Sequence, residues 1–199
     1  MGKGLLIVIS GPSGAGKGTI CKRLLETNPQ IMASISATTR RPRQGEENGV
    51  NYFFIDHDRF ENMITKGDLL EYAKVYGNYY GTPKDYVIEN LEKGNDVLLE
   101  IDIEGALQIK EKYREGIFVF ILPPSLEELK SRIINRGTET EEDIKKRYGS
   151  AMSEISQVIK YDYVVINDDI DRAKEDIEAI IRAENCKVLR VHEEIKLRF

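Results

Sequence analysis

Residues 5–18, LLIVISGPSGAGKG, join an unbroken apolar run to a glycine-spaced loop that ends in lysine. A five-residue apolar run stopped by Ser10 and Gly11 suits a strand buried on both faces of a parallel sheet. Residues 19–26 then read as a helix, with Ile20 and Leu24 four apart on one face. Gly11, Gly16 and Lys17 satisfy the spacing G-x-x-x-x-G-K within the strand-to-helix context that this motif requires. Glycines there let backbone N–H groups turn inward onto phosphate oxygens. The helix N-terminus adds its positive dipole end, and Lys17 adds a full charge for β- and γ-phosphates. A chain that begins this way is committed to an α/β sheet with a phosphate site at one strand end.

The remaining sequence keeps the same rhythm. Buried-strand runs recur at 97–101, 117–122 and 163–166, each followed by a segment with helical features. Ser125 and Glu128 form a capping box for a helix over 126–135. The last clear helix starts near Asp169, with Ile170, Ala173, Ile177, Ile180 and Ile181 marking its apolar face. Alternation of this kind predicts helices on both sides of a parallel sheet. The tail, 187–199, is compatible with a strand, with packing on the body or with a partner subunit.

Two stretches break the rhythm. Residues 34–95 are rich in Gly, Tyr, Asn and Arg and suggest a small sheet (52–55, 69–76, 79–80) and a helix beginning at Pro83. Residues 130–157 are strongly charged and helical in pattern. Long insertions in a compact domain tend to be functional, so both are candidate substrate-binding flaps. One domain is expected, with a core near 1–33, 96–129 and 158–199.

Charge limits the choice of partner. With 29 Lys and Arg against 34 Asp and Glu, the net charge is -5, which disfavours nucleic acid or an anionic membrane as the main target. Cys21 and Cys186 have no His or Cys at metal-ligand spacing and read as free thiols. No apolar stretch approaches the roughly 18 residues of a membrane span. A cytoplasmic location is therefore expected, and oligomeric state is left open.

The segments GPSGAGKGT (11–19), SISATTRRPRQGEENGVNYFF (34–54), LLEY (69–72), NYYGT (78–82), LLEID (98–102), ILPPS (121–125), NRGTETEEDIKKR (135–147) and VINDD (165–169) together resemble the guanylate kinase family, in the right order along nearly the whole chain. The resemblance implies a P-loop NTPase-type parallel sheet flanked by helices, a small mixed acceptor-binding subdomain at 34–95 and a helical lid at 130–157. It also implies phosphoryl transfer from ATP to GMP with Mg²⁺. Rival readings are a guanylate-kinase-like interaction module and a kinase of another nucleoside monophosphate.

Carried residue by residue, the resemblance assigns ATP binding to Gly11, Ser13, Gly14, Ala15, Gly16, Lys17, Gly18, Thr19 and Asn167. GMP falls to Ser36, Arg40, Arg43, Tyr52, Glu71, Tyr80, Thr82, Glu100 and Asp102. Transfer is assigned to Lys17, Arg43, Arg132, Arg136 and Arg147, and the metal to Asp102, with Thr19 acting through water. The side-chain types suit those roles. Guanine offers N–H donors at N1 and N2 beside the O6 acceptor, so a carboxylate at Glu71 accepts from it and hydroxyls at Ser36 and Thr82 donate to it. Arginine forks at Arg40 and Arg43 match a dianionic phosphate. Gly18 stands where such loops commonly carry the hydroxyl that holds Mg²⁺, so more of the metal's grip must come from phosphates, water and carboxylates.

Overall fold

The computed structural model describes residues 2–75, 77–134 and 149–198. Its main sheet has five parallel strands in the order β2-β7-β1-β8-β9, formed by β1 (Leu6–Ser10), β2 (Met32–Ala33), β7 (Val97–Glu100), β8 (Ile117–Leu122) and β9 (Tyr163–Ile166). The apolar run at the start of the chain is central, as its two-sided burial demands. Ile7 and Ile9 face a core shared with Ile20 and Leu24 of α1 (Lys17–Thr27) and with Ala173, Ile177 and Ile181 of α6 (Ile170–Asn185). Leu6 and Val8 face the opposite core, beside Val87 and Leu91 of α3 (Lys84–Glu92) and Ala106 and Ile109 of α4 (Ile103–Lys112). Side-chain alternation along one strand thus closes both helical layers.

The second sheet is mixed, in the order β4-β3-β6-β5. It comprises β3 (Ala37–Thr38), β4 (Phe53–Phe54), β5 (Leu69–Val75) and β6 (Asn78–Pro83), with α2 (His57–Lys66) packed beside it through Phe60, which stacks on Tyr79. Two short strands, β2 and β3, carry too few residues for a periodic signal and are absent from the sequence reading. The helix expected at Pro83 instead begins at Lys84, because β6 continues through Thr82 and Pro83. Thr82 is a buried strand residue.

Helix α5 (Leu126–Ile134) keeps half of its expected box. Ser125 Oγ accepts from the Glu128 N–H at 3.1 Å, while the Glu128 carboxylate turns to Arg132 Nε at 2.7 Å. Residues 149–155 are also helical. The tail forms a helix, α7 (Val188–Arg198), tied to the chain start by Arg190 Nη2 donating to the Lys3 carbonyl at 2.9 Å. Among the described residues, no helix is long and apolar enough to cross a membrane.

Candidate active site

The glycine loop lies between the C-terminal end of β1 and the first turn of α1, where parallel α/β sheets present ligands. Its shape is enforced from below. Gly11, at φ 146°, passes so close to β8 that a Cβ there would meet the Ile121 carbonyl oxygen at 2.3 Å. Gly16, at φ 89°, is crossed by the Asn167 side chain, whose Nδ2 donates to the Ala15 carbonyl at 2.7 Å. Asn167 is only 4% exposed, so it braces the loop from the end of β9. Ala15, expected to bind ATP, is fully buried and lines neither cavity described below; its N–H donates to the Pro12 carbonyl at 3.2 Å.

Lys17 folds back over the loop, and its Nζ donates to the carbonyls of Gly11 at 2.6 Å and Pro12 at 3.2 Å. The ammonium is therefore held against the carbonyls at the start of the loop. Arg132 reaches the same loop from α5; Glu128 holds its Nε, and its Nη2 donates to the Asn167 carbonyl at 3.1 Å.

One cavity of about 1050 Å³ brings this loop together with the second sheet. Gly11, Ser13, Gly14, Gly16, Lys17 and Gly18 line it. Ser36, Arg40, Arg43, Tyr52, Glu71 and Tyr80, from the acceptor segment, line it too, as do Glu100 and Asp102. A separate cleft of about 710 Å³ runs behind Gly16 and contains Thr19, Arg132 and Asn167, together with Lys22 and Arg23. Thr19 and Asp102, paired above as metal groups, thus line different cavities. Glu100 is the acid nearest the bare position: a Cβ on Gly18 would lie 3.4 Å from its Oε1. Asp102 Oδ1 meanwhile accepts from the Gly105 N–H at 2.8 Å and caps α4. Arg136 and Arg147 lie outside the described residues.

The recognition end is built around a buried acid. Glu71, on β5, is 3% exposed, and its Oε1 accepts from Thr82 Oγ1 of the neighbouring β6 at 2.6 Å; the Thr82 hydroxyl, expected to donate to the base, is fully buried and donates to Glu71 instead. Burial pushes its carboxyl up to about 7; the Thr82 bond opposes that rise and the nearby Asp102 adds to it. The acid is half-satisfied, with hydrogen-bonding capacity left for a ligand's N–H groups.

At the phosphate end, Glu46 grips Arg40 with both oxygens, at 2.9 and 3.0 Å, and accepts from the Arg43 N–H at 2.7 Å. The Arg40 guanidinium also lies over the Tyr52 ring at 5.4 Å, and Tyr52 meets Tyr80 edge-on at 6.0 Å. Glu46 went unread in the sequence. It is one of two adjacent glutamates, and spacing does not say which one faces the arginine. Ser150, Ser153, Glu154 and Gln157, also unassigned from sequence, line the same cavity.

Comparison with known proteins decides the family. A sequence-family model described as guanylate kinase matches residues 3–184. The chain belongs to the guanylate kinase family. It is 64% identical over 188 residues to guanylate kinase of Caldanaerobacter subterraneus subsp. tengcongensis, covering 94% of this chain and 91% of that one. Against guanylate kinase of Clostridium tetani the identity is 61% over 197 residues, covering 99% and 94%. The crystal structure of guanylate kinase from Anaplasma phagocytophilum superposes with a TM-score of 0.81 at 37% identity, covering 95% of this chain and 90% of that one. The guanylate kinase likeness thus includes both sheets, and α7 follows the matched stretch.

Proposed function

We propose that this protein is an ATP:GMP phosphotransferase that reversibly converts ATP and GMP to ADP and GDP. The observation that carries the reading is the buried Glu71, held by Thr82, in the wall of the cavity that the glycine loop and Lys17 also line. The pair matches guanine on a base-by-base argument. Its carboxylate accepts from N1–H and N2–H, whereas adenine presents a bare N1 acceptor there and leaves a buried acid unpaired. Ser36 adds a hydroxyl donor for O6.

The attacking group is an oxygen of the GMP phosphate, already anionic near neutral pH, so no general base is required. The protein's work is to hold two mutually repelling anions in line. Arg40 and Arg43, with the hydroxyls of Tyr52 and Tyr80, hold the acceptor phosphate. The loop N–H groups and Lys17 hold the donor's β- and γ-phosphates, so Lys17 must leave the Gly11 and Pro12 carbonyls when nucleotide enters. Arg132, with Arg136 and Arg147, neutralises charge on the group in flight, and closure of 130–157 over both nucleotides excludes water.

Magnesium fits a site of this composition. The Glu100 carboxylate stands over Gly18, and no described cluster of three or more His, Cys, Asp or Glu side chains would hold a metal by itself. There Glu100 and Asp102 would orient the waters of a cation that arrives with the nucleotide phosphates. When bound it neutralises the charge that builds up on the transferring phosphoryl group.

The test is ADP release with GMP, dGMP, AMP, UMP and no acceptor. GMP-dependent turnover with little hydrolysis in its absence supports the proposal. Equal rates with AMP, or fast ATP hydrolysis alone, would refute it. Lys17→Ala should fold normally and lose turnover by about two orders of magnitude or more.

A further inference from the structure

Gly105 is a glycine that its own backbone does not ask for. It occupies the third position of α4, after the Asp102 cap, and its φ is not among the positive values of this chain. Its N–H donation to Asp102 would survive in alanine. A helical position disfavours glycine against alanine, by up to about 1 kcal/mol in a helix interior and less in the first turn. Some other requirement must keep the position bare.

The space beside it identifies the requirement. A Cβ placed on Gly105 would lie 2.3 Å from Glu71 Oε2, 2.9 Å from its Cδ and 3.4 Å from its Cγ, and these are the three nearest atoms. The volume that any side chain would need is filled by the Glu71 carboxylate. That carboxylate is pinned on its other side by Thr82 Oγ1 and buried at 3% exposure. Added bulk therefore has one easy outlet: the flexible end of Glu71 moves, while the two backbones stay in place.

We infer that Gly105 is a specificity-determining residue, whose missing side chain forms the seat that aims the Glu71 carboxylate at the purine base. The inference rests on Glu71 as the reader of guanine. It adds a second element, α4, to a recognition site otherwise built on β5 and β6. The Gly105 seat fixes the carboxylate laterally and Thr82 fixes it end-on, so both oxygens have defined positions before a ligand arrives. An alanine here should spare the fold and damage discrimination, the reverse of the usual result for a buried Gly→Ala change with a steric clash.

The experiment is a double-mutant cycle on the full chain with Gly105→Ala, Glu71→Ala and their combination, read by steady-state KM for GMP and for ATP and by thermal melting. Gly105→Ala is expected to raise the KM for GMP by about 10- to 100-fold, as expected for loss of hydrogen bonds to a charged group. The KM for ATP should stay within about twofold, and the preference for GMP over AMP should narrow. In the Glu71→Ala background, where the obstructing carboxylate is gone, Gly105→Ala should add nothing. A normal KM for GMP in folded Gly105→Ala, or the same penalty in both backgrounds, overturns the inference. Should the single variant fail to fold, recovery of folded protein in the double variant supports the contact, and failure of both overturns it. Glu71→Gln separates the premise: normal GMP affinity there sinks the base-reading role itself, whereas its loss alongside a silent Gly105→Ala sinks only the seat.

Discussion

Replacing Glu71 by glutamine should stabilise the ligand-free protein at alkaline pH while weakening its grip on GMP. An unfolded chain ionises this carboxyl near its ordinary value of 4.5, whereas the folded protein keeps the proton until about 7 because the group is desolvated. Between those values the folded state binds more protons than the unfolded one. Wild-type stability therefore falls as pH rises through the window, is fully retained below 4.5 and has lost its whole increment above 7. The interval from 4.5 to about 7 corresponds to about 3 kcal/mol as an upper figure. Thr82 and Lys112 limit the penalty and Asp102 increases it.

Glutamine is nearly isosteric, can accept from Thr82 and cannot ionise. Glu71→Gln should thus melt near the wild-type temperature at pH 4.5 and about 6–12 °C above it at pH 8.5, for a chain of this size. Differential scanning calorimetry without nucleotide at both pH values provides the measurement, and the difference between the proteins cancels the titration of other groups. A melting difference that does not grow with pH would show that burial does not hold the proton on Glu71. Binding supplies a cross-check. Guanine N–H donors favour the charged carboxylate, so GMP binding near pH 6 should expel more protons from the wild type than from Glu71→Gln. Calorimetry in buffers of different ionisation heat reads that excess.

Glu46→Ala frees Arg40 from its two-point anchor and should raise the KM for GMP about tenfold with ATP unaffected; parallel loss for both nucleotides would mark a general structural defect. Asn167→Ala leaves the Ala15 carbonyl without its buried donor and should cost about 1–3 kcal/mol in denaturant titration, whereas an unchanged midpoint would deny the bracing role. Gly18→Ser should fold within about 0.5 kcal/mol of wild type, since a Cβ there is in ordinary contact with Glu100. Its new hydroxyl lies beside Glu100, so the Mg²⁺ concentration for half-maximal rate should shift, and an unchanged Mg²⁺ dependence would detach Glu100 from the metal.

The central strand, the loop after it and the helices that flank it were legible because each rests on local rules. Burial of β1 on both faces needs an unbroken apolar run, and the loop needs glycine at fixed offsets. Strands β2 and β3 escaped because two residues carry no period, and their pairing is supplied wholly by neighbours distant in sequence. Thr82 shows the same limit. Followed by Pro83 it resembles a helix start, yet the β5–β6 pairing keeps it in a strand and delivers its hydroxyl to Glu71.

Sequence by itself determined the class of sheet, the phosphate loop, the family and the residue types available for reading a base and holding two phosphates. Tertiary structure decided which of those side chains meet. It selected Glu46 over its neighbour as the anchor of Arg40, passed Asn167 beneath the loop, and brought α4 against Glu71 so closely that a Cβ on Gly105 would overlap the carboxylate. Local conformational preference is written in short runs of residues, whereas a contact between positions 71 and 105 exists only after two elements have packed, and its energy depends on the space that packing leaves.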